Sequence, residues 1–523
     1  MSSGRVRRPR TRPPTTRRTT PGPAIELPPS ASEREQALDT KPTRLTGPLD
    51  KSGHLDVPQS LNERLSKGVS AETNANAAIW QVLGPTAHGE KPPPGHFEKM
   101  GMKPPPVAGD YYVGLKQYAE SIGADNNNLS FDTLARFAYA PWAPGDSPVV
   151  ANWLQANEKP LAALHEAVKR PHYFNPVIPD QGEKGSKGVL SARLPGLQPC
   201  REAAAALACH AMLRLNQGLV EEAWQDLLAC HRLGRLVGRG GCLIEALVGA
   251  AIEQIACRAE IAYLDRAGLN VTALELCLRD LVALPRIAAV ADKLDLCERG
   301  MLLDIIVLTE KNGLWFLSNY SQDGQLQGAL ADWILDGTDW TPALENANKW
   351  YDRLVACARE RTRAARVEKL AAFRTDLVAL KARATDLDEV AKRFLEKNYS
   401  GKARGEAVGN ILISLMLPAF DKVIDAADRA QQTFDTVAVA YAMVWYQRAN
   451  GRYPDSLVKL APTYLKAIPG DLFSGKELVY RTEANGFLLY SVGVNGTDDG
   501  GRWYGSQPSG DDIVVRIPQQ AKP

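Results

Sequence analysis

The C-terminal stretch "VNGTDDGGRWYGSQPSGDDIVVRI" gathers Asn495, Asp498, Asp499, Asp511 and Asp512 among glycines. Calcium takes six to eight oxygen ligands, several from carboxylates, in a flexible loop. Two aspartate pairs brought close would repel each other without a cation between them. These five residues are therefore candidate calcium ligands. The competing reading is a polar surface turn in which each aspartate accepts hydrogen bonds from nearby backbone.

Two further sets of residues have types suited to chemistry. Cys209-His210 and Cys230-His231 repeat a pair of zinc-ligand types. Neighbours on a helix point about 100° apart, so each pair offers one ligand readily and two with difficulty. Packed thiols and helix-surface histidines are the simpler expectation. His172 sits among aromatics in "RPHYFNP" and reads as a loop anchor. Glu221, Glu222 and Glu245 fall in helical patterns beside arginines and read as ion-paired surface groups. No Gly-x-Ser-x-Gly elbow accompanies the histidines. "GEKGSKG" lacks the Gly-Lys-Ser/Thr order of a phosphate loop.

The elements that must position these residues follow from composition and periodicity. The 523-residue chain is 45% hydrophobic and 23% charged, enough for a sizeable core in two to four domains. A net charge of +2 gives no field that would favour nucleic acid. All eight cysteines fall between Cys200 and Cys357, singly, which suggests reduced, buried thiols. No run of 18 apolar residues is present, so no membrane span and no secretory signal are expected. Read alone, this places the chain in the cytoplasm.

Four segments emerge. Residues 1–58 form a basic Pro/Thr/Arg-rich tail, with seven arginines in the first 18 residues, and are expected to be disordered. Residues 59–197 mix short helices with loops, including the proline-rich connector "GEKPPPGHFEKMGMKPPP". Residues 198–405 read as a body of helical hairpins, tetratricopeptide-like but without a strict period. Thr73 or Asn74, and Asn270, are expected helix caps, and Gly268 a C-terminal stop. "RTRAARVEKLAAFRTDLVALKARATDLDEVAKRFLEK" reads as a helix with a solvated charged face. In residues 406–523 an apolar stripe from Phe420 to Trp445 marks a long helix, ended by Gly451 and Pro454. "ELVYRT", "FLLYSVG" and "DDIVVRI" are three strands, the first two joined by a turn at Asn485-Gly486. The fold class is mainly α, with a small C-terminal α+β module.

The long helix, "NGRYPDSL", "YLKAIPGDLFSGKELVYR" and "LLYSVGVNGTDDGG" together resemble the globular part of the major pseudopilin of type II secretion, over roughly residues 419–518. That resemblance implies a spine helix, a sheet and a calcium loop centred on Asp498 and Asp499, with Asp511 and Asp512 next. The family's apolar N-terminal methylation segment is absent, so assembly into a pilus is not expected. Leu472 stands where the family usually has proline. From about Leu61, "ERLSKGVSAETNANAAIWQVLGP" and "WLQANEKPLAALHEAVKRPHYFNP" resemble large uncharacterised bacterial proteins plentiful in planctomycetes. Those proteins often begin with a membrane anchor, which makes the cell envelope the alternative location.

The absence of a catalytic constellation beside a large helical array points to a non-enzymatic scaffold for a protein partner. An enzyme with its site near the 171–195 loop, or an envelope- or secretion-associated protein, are the alternatives.

Overall fold

The computed structural model describes residues 45, 47–51, 53–124, 131–182, 185–312, 337–384, 400–417 and 420–519. Most of the expected tail therefore lies outside the described residues. Its expected boundary at residue 58 falls inside packed structure. Val57 opens a helix and is fully buried, and Leu45 packs in the same core.

The structure is mainly helical, with a three-stranded antiparallel sheet near the C-terminus. Besides several shorter helices, the chain forms α1 (Val57–Leu65), α2 (Ala75–Leu83) and α3 (Glu158–Ala167). The hairpin body follows as α4 (Leu197–Asn216), α5 (Val220–Val237), α6 (Leu243–Arg266) and α7 (Val271–Ala283). Then come α8 (Arg299–Asn312), α9 (Thr341–Ala358), α10 (Arg363–Ala384), α11 (Gly401–Met416) and α12 (Phe420–Asn450).

Local signals account for the helix ends. The Asn74 side chain accepts from the Asn76 N–H at 3.1 Å, and the Asn270 side chain from the Ala273 N–H at 2.9 Å. Gly268 and Gly451 take φ of +61° and +76° just beyond α6 and α12, the left-handed turn that glycine allows. The α5–α6 contact depends on small residues. A Cβ on Gly249 would stand 2.6 Å from the Gly238 backbone, so these helices touch main chain to main chain.

Strand β1 (Val479–Glu483) pairs with β2 (Gly486–Ser491), which pairs with β3 (Ile513–Ile517). Glu483 faces Gly486 across the hairpin, so the turn residues are Ala484 and Asn485, one position earlier than expected. Every residue of β2 is buried, because α12 covers one face and both neighbouring strands flank it.

Two hydrophobic cores cut across the segments read from the sequence. One joins α2, α4–α7, the second half of α12 and the sheet. The other joins α1, the α8–α11 helices and the start of α12. Helix α12, 31 residues and about 46 Å long, contributes Phe420 and Val423 to the second core and Phe434 to Trp445 to the first. The C-terminal sheet is thus built onto the body through α12, which packs along α6 and α7. The charged face expected on α10 is only partly solvated. Arg363 reaches Asp425 at 2.6 Å and Asp428 at 2.5 Å, and Arg366 reaches Asp428 at 2.8 Å, tying α10 to α12.

Candidate functional site

The C-terminal loop places its five candidate ligands close in space, but each carboxylate already accepts a hydrogen bond. Asp498 accepts from the Tyr490 hydroxyl at 2.9 Å and the Gly500 N–H at 2.8 Å. Asp499 accepts from the Asp511 N–H at 2.8 Å and from Asn495 Nδ2 at 3.3 Å. Asp511 pairs with Arg429 of α12 and accepts the Asn495 N–H at 2.9 Å. Asp512, 2% exposed, accepts the Gly501 N–H at 2.6 Å. Burial pushes the Asp512 carboxyl up, its donors oppose this, and the charges of Asp499 and Asp498 add to the rise. No three of these carboxylates come within 4.8 Å of one another.

The two Cys-His pairs separate. Cys209 Sγ donates to the Leu134 carbonyl at 3.4 Å and Cys230 Sγ to that of Ala204 at 3.6 Å. All eight cysteines are free of disulfides and buried. His210 Nδ1 lies 3.2 Å from the buried Asp226, which also meets His165 at 2.8 Å and Arg214 at 2.9 Å. Burial raises the Asp226 carboxyl, but hydrogen bonds from His165 and His210 outweigh it and hold the group below its ordinary value.

His231 is not on a helix surface. Helix α6 lies over α5 and buries the imidazole completely between two of its own glutamates. Nδ1 is 3.0 Å from Glu253 Oε1, and Nε2 is 3.0 Å from Glu260 Oε2. Arg235 Nη2 donates to Glu253 Oε1 at 2.6 Å while its guanidinium lies 4.5 Å over the Phe434 ring. Burial alone would depress the imidazole, but the two carboxylates pull it up to about 9. Burial pushes Glu253 up, and Arg235 and His231 more than reverse this, to about 2. Glu260 stays raised by burial. Cys257 completes the cluster: its Sγ and ligand atoms of His231 and Glu253 all lie within 4.8 Å. Sequence reasoning missed Glu253, Cys257 and Glu260. Their spacing, i, i+4 and i+7, puts all three on one face of α6, and that was the available signal.

Glu245 is also fully buried, not a surface group. It caps α6 by accepting the Cys242 N–H at 3.0 Å, and it accepts from Asn175 at 3.0 Å. His172 is exposed and serves through its backbone, which exchanges hydrogen bonds with Thr73 and Ala75.

A large groove lies where the sequence reads as a connector. The segment between α2 and residue 113 wraps into a groove of about 1270 Å³ lined by Pro93, Phe97, Met102, Val107, Tyr111 and Tyr112, among others. Tyr111 is held in place: its hydroxyl donates to the Pro106 carbonyl at 2.6 Å, and a Cβ on Gly109 would stand 2.7 Å from its ring. His88 is the one non-glycine residue among those described with positive φ, +52°, a conformation that costs energy unless the surroundings impose it. They do so through Glu202, 3.2 Å from His88 Nε2, which also accepts the Leu115 N–H at 2.7 Å.

His96, at the groove wall, is 1% exposed, and neither ring nitrogen has a partner. It packs edge-on against Trp80 and Phe97, at 5.1 and 5.5 Å. Burial lowers it to about 4. Its folded value lies below the unfolded value of about 6.5, so the unfolded chain binds the proton first. The stability it permits is full above pH 6.5 and is lost as pH falls to 4, by about 2–3 kcal/mol. Hydrogen exchange of the α2 amides should accelerate over that window. In His96→Phe the pH dependence should flatten; an unchanged profile would assign it to other groups.

No family model, curated protein or solved structure matches the chain. Among the described residues no helix is long and apolar enough to cross a membrane.

Proposed function

We propose that the chain is a non-enzymatic scaffold whose docking surface is the groove between α2 and residue 113. Its occupant is an extended, apolar segment of a protein partner flanked by acidic residues. The observation that carries this reading is the groove itself. At about 1270 Å³ it exceeds the 300–1,000 Å³ typical of small-ligand sites, and its lining is aromatic, proline and aliphatic. Prolines and a clamped tyrosine make a surface that loses little entropy on binding. Lys91 and Lys103 line it beside one acid, Glu98, which favours negative charge at the ends of the occupant. The buried cluster of His231, Glu253 and Glu260 lies where no organic substrate fits, and the shifted group that does reach the groove, His96, is 1% exposed with its ring packed on Trp80 and Phe97. The cavity beside Glu253 holds about 10 Å³.

Selection from a library of random nonapeptides displayed against the full chain tests the proposal. Enriched sequences should be apolar with acidic ends. Their binding should fall at least tenfold in Val107→Glu and stay unchanged in Val367→Glu. Val107 is 94% exposed in the groove and Val367 49% exposed on α10, so neither change disturbs the core. Enrichment no greater than on an unrelated protein, or binding indifferent to Val107→Glu, would overturn it.

The resemblance of the C-terminal module to a pseudopilin stands in this reading as a second part of the scaffold. A long helix carrying a three-stranded sheet supports it.

A further inference from the structure

We propose that His231, Glu253 and Cys257 form a buried site for one divalent metal ion of zinc-like preference, with Glu260 as the carboxylate that orients the histidine. Four observations carry the assignment.

The ligand atoms already converge. A nitrogen, a carboxylate oxygen and a thiol sulfur lie within 4.8 Å of one another, the one such cluster among the described residues. A tetrahedral ion with bonds of about 2.0–2.3 Å needs its ligands roughly 3.3–3.8 Å apart. Closure therefore takes about an ångström of side-chain adjustment.

One ligand atom is unused. Arg235 and His231 Nδ1 both meet Glu253 Oε1, whereas Glu253 Oε2 is buried without a hydrogen-bond partner. A buried carboxylate oxygen left in that state is costly, and a bound cation satisfies it. Arg235 occupies the other oxygen, so it need not leave when the ion enters.

The surrounding arrangement matches what a metal-bound histidine requires. Nε2 points at Glu260 Oε2 at 3.0 Å, which fixes the ring and the tautomer with its lone pair on Nδ1.

The charges balance. Without metal, both imidazole nitrogens face carboxylates, so His231 is a cation and Cys257 a neutral thiol beside Glu253, Glu260 and Arg235. Binding displaces one proton from Nδ1 and one from Sγ, and both leave to solvent. One dication replaces two protons, and the net charge of the buried cluster is unchanged. Metal and ligands keep their oxidation states.

Because the cluster is closed to solvent, the ion enters as the chain folds. The full chain is unfolded in guanidinium chloride under reducing conditions, refolded with cobalt(II) alone or zinc alone, and freed of loose metal by gel filtration. The wild type should retain one equivalent of cobalt and show thiolate-to-cobalt charge transfer in the near ultraviolet. Zinc in refolding should raise its unfolding midpoint. Cys257→Ser should lose the charge-transfer band, while Cys230→Ser keeps it. Should Cys257→Ser fail to fold, Cys257→Ala and Glu253→Gln supply the same comparison, each expected to drop retained metal towards zero. Wild type that folds and retains no cobalt, or a charge-transfer band that survives loss of Cys257, overturns the site. Neither result bears on the groove, which peptide selection tests separately.

Discussion

Replacing Arg299 with alanine should lower the stability of the chain by about 3 kcal/mol, in the range for breaking a buried ion pair. Arg299 is 0% exposed, one of the largest fully buried side chains. Its Nη2 donates to Asp295 Oδ1 at 2.6 Å and its Nη1 to Asp352 Oδ1 at 2.6 Å and Asn348 Oδ1 at 3.1 Å. Its Nε donates to the Asp295 carbonyl at 3.1 Å, within a widened π-type turn, Leu294–Glu298, that leads into α8. The single side chain thus joins that turn to α9. Alanine would strand the buried Asp295 carboxylate, although Arg359, 3.3 Å from its other oxygen, limits the loss. The effect should sit near the low end of the 3–5 kcal/mol range for that reason. Equilibrium denaturation monitored by the Trp350 environment would measure it. Lys159→Ala is the contrast: its pair with Asp110 is 2.9 Å long but 82% and 72% exposed, and water screens it. Its denaturation midpoint should match the wild type. Equal midpoints for Arg299→Ala and wild type would show the Arg299 network to be neutral.

That network illustrates what could be read from the residues and what could not. Helix ends were legible because their causes are local: Asn74, Asn270, Gly268 and Gly451 act within a few residues of themselves. The three strands were legible as short apolar runs set off by turn residues, and the long α12 from its stripe. The partners of buried charges were not. Arg299 meets Asp352, and His231 meets Glu253 and Glu260, across helices whose packing no short window encodes. The same holds for the groove. Prolines kept most of the 91–106 stretch extended, but they did not exclude helix, since His96–Lys99 forms a short one after Gly95, and the wrapping around Tyr111 depends on Gly109 and on Glu202 of α4. A stripe also cannot say how many cores it serves. The turns of α12 from Phe420 to Ile424 and those from Phe434 to Trp445 look alike in sequence and enter different cores.

Of the C-terminal carboxylates, the one with the largest expected effect is Asp471, outside the acidic loop. It is 2% exposed and accepts four hydrogen bonds: the Phe473 N–H at 2.9 Å, Ser474 Oγ at 2.8 Å, Ser491 Oγ at 2.7 Å and the Val492 N–H at 3.1 Å. It thereby ties the turn before β1 to the end of β2, where the acidic loop begins. Asp471→Ala should cost about 4 kcal/mol, because it leaves buried donors at Val492 and Ser491 unsatisfied. Asp471→Asn keeps one acceptor oxygen and should lose roughly half as much. The adjacent Leu472 makes a separate tie to α12. Its N–H donates to Gln432 Oε1 of α12 at 2.6 Å, and proline has no such donor. Leu472→Pro should therefore loosen the turn from α12 while leaving the Asp471 bonds formed. Hydrogen exchange separates the two effects. In Asp471→Ala the Phe473 and Val492 amides should exchange faster, and the acidic loop from Asn495 to Gly501 should lose protection with them. In Leu472→Pro the change should stay around Gln432 and the turn. Slow exchange at Val492 in Asp471→Ala would mean that the sheet and α12 position the acidic loop without this carboxylate. The loop's geometry would then have to come from Arg429 and its bond to Asp511, the other tie between α12 and the acids.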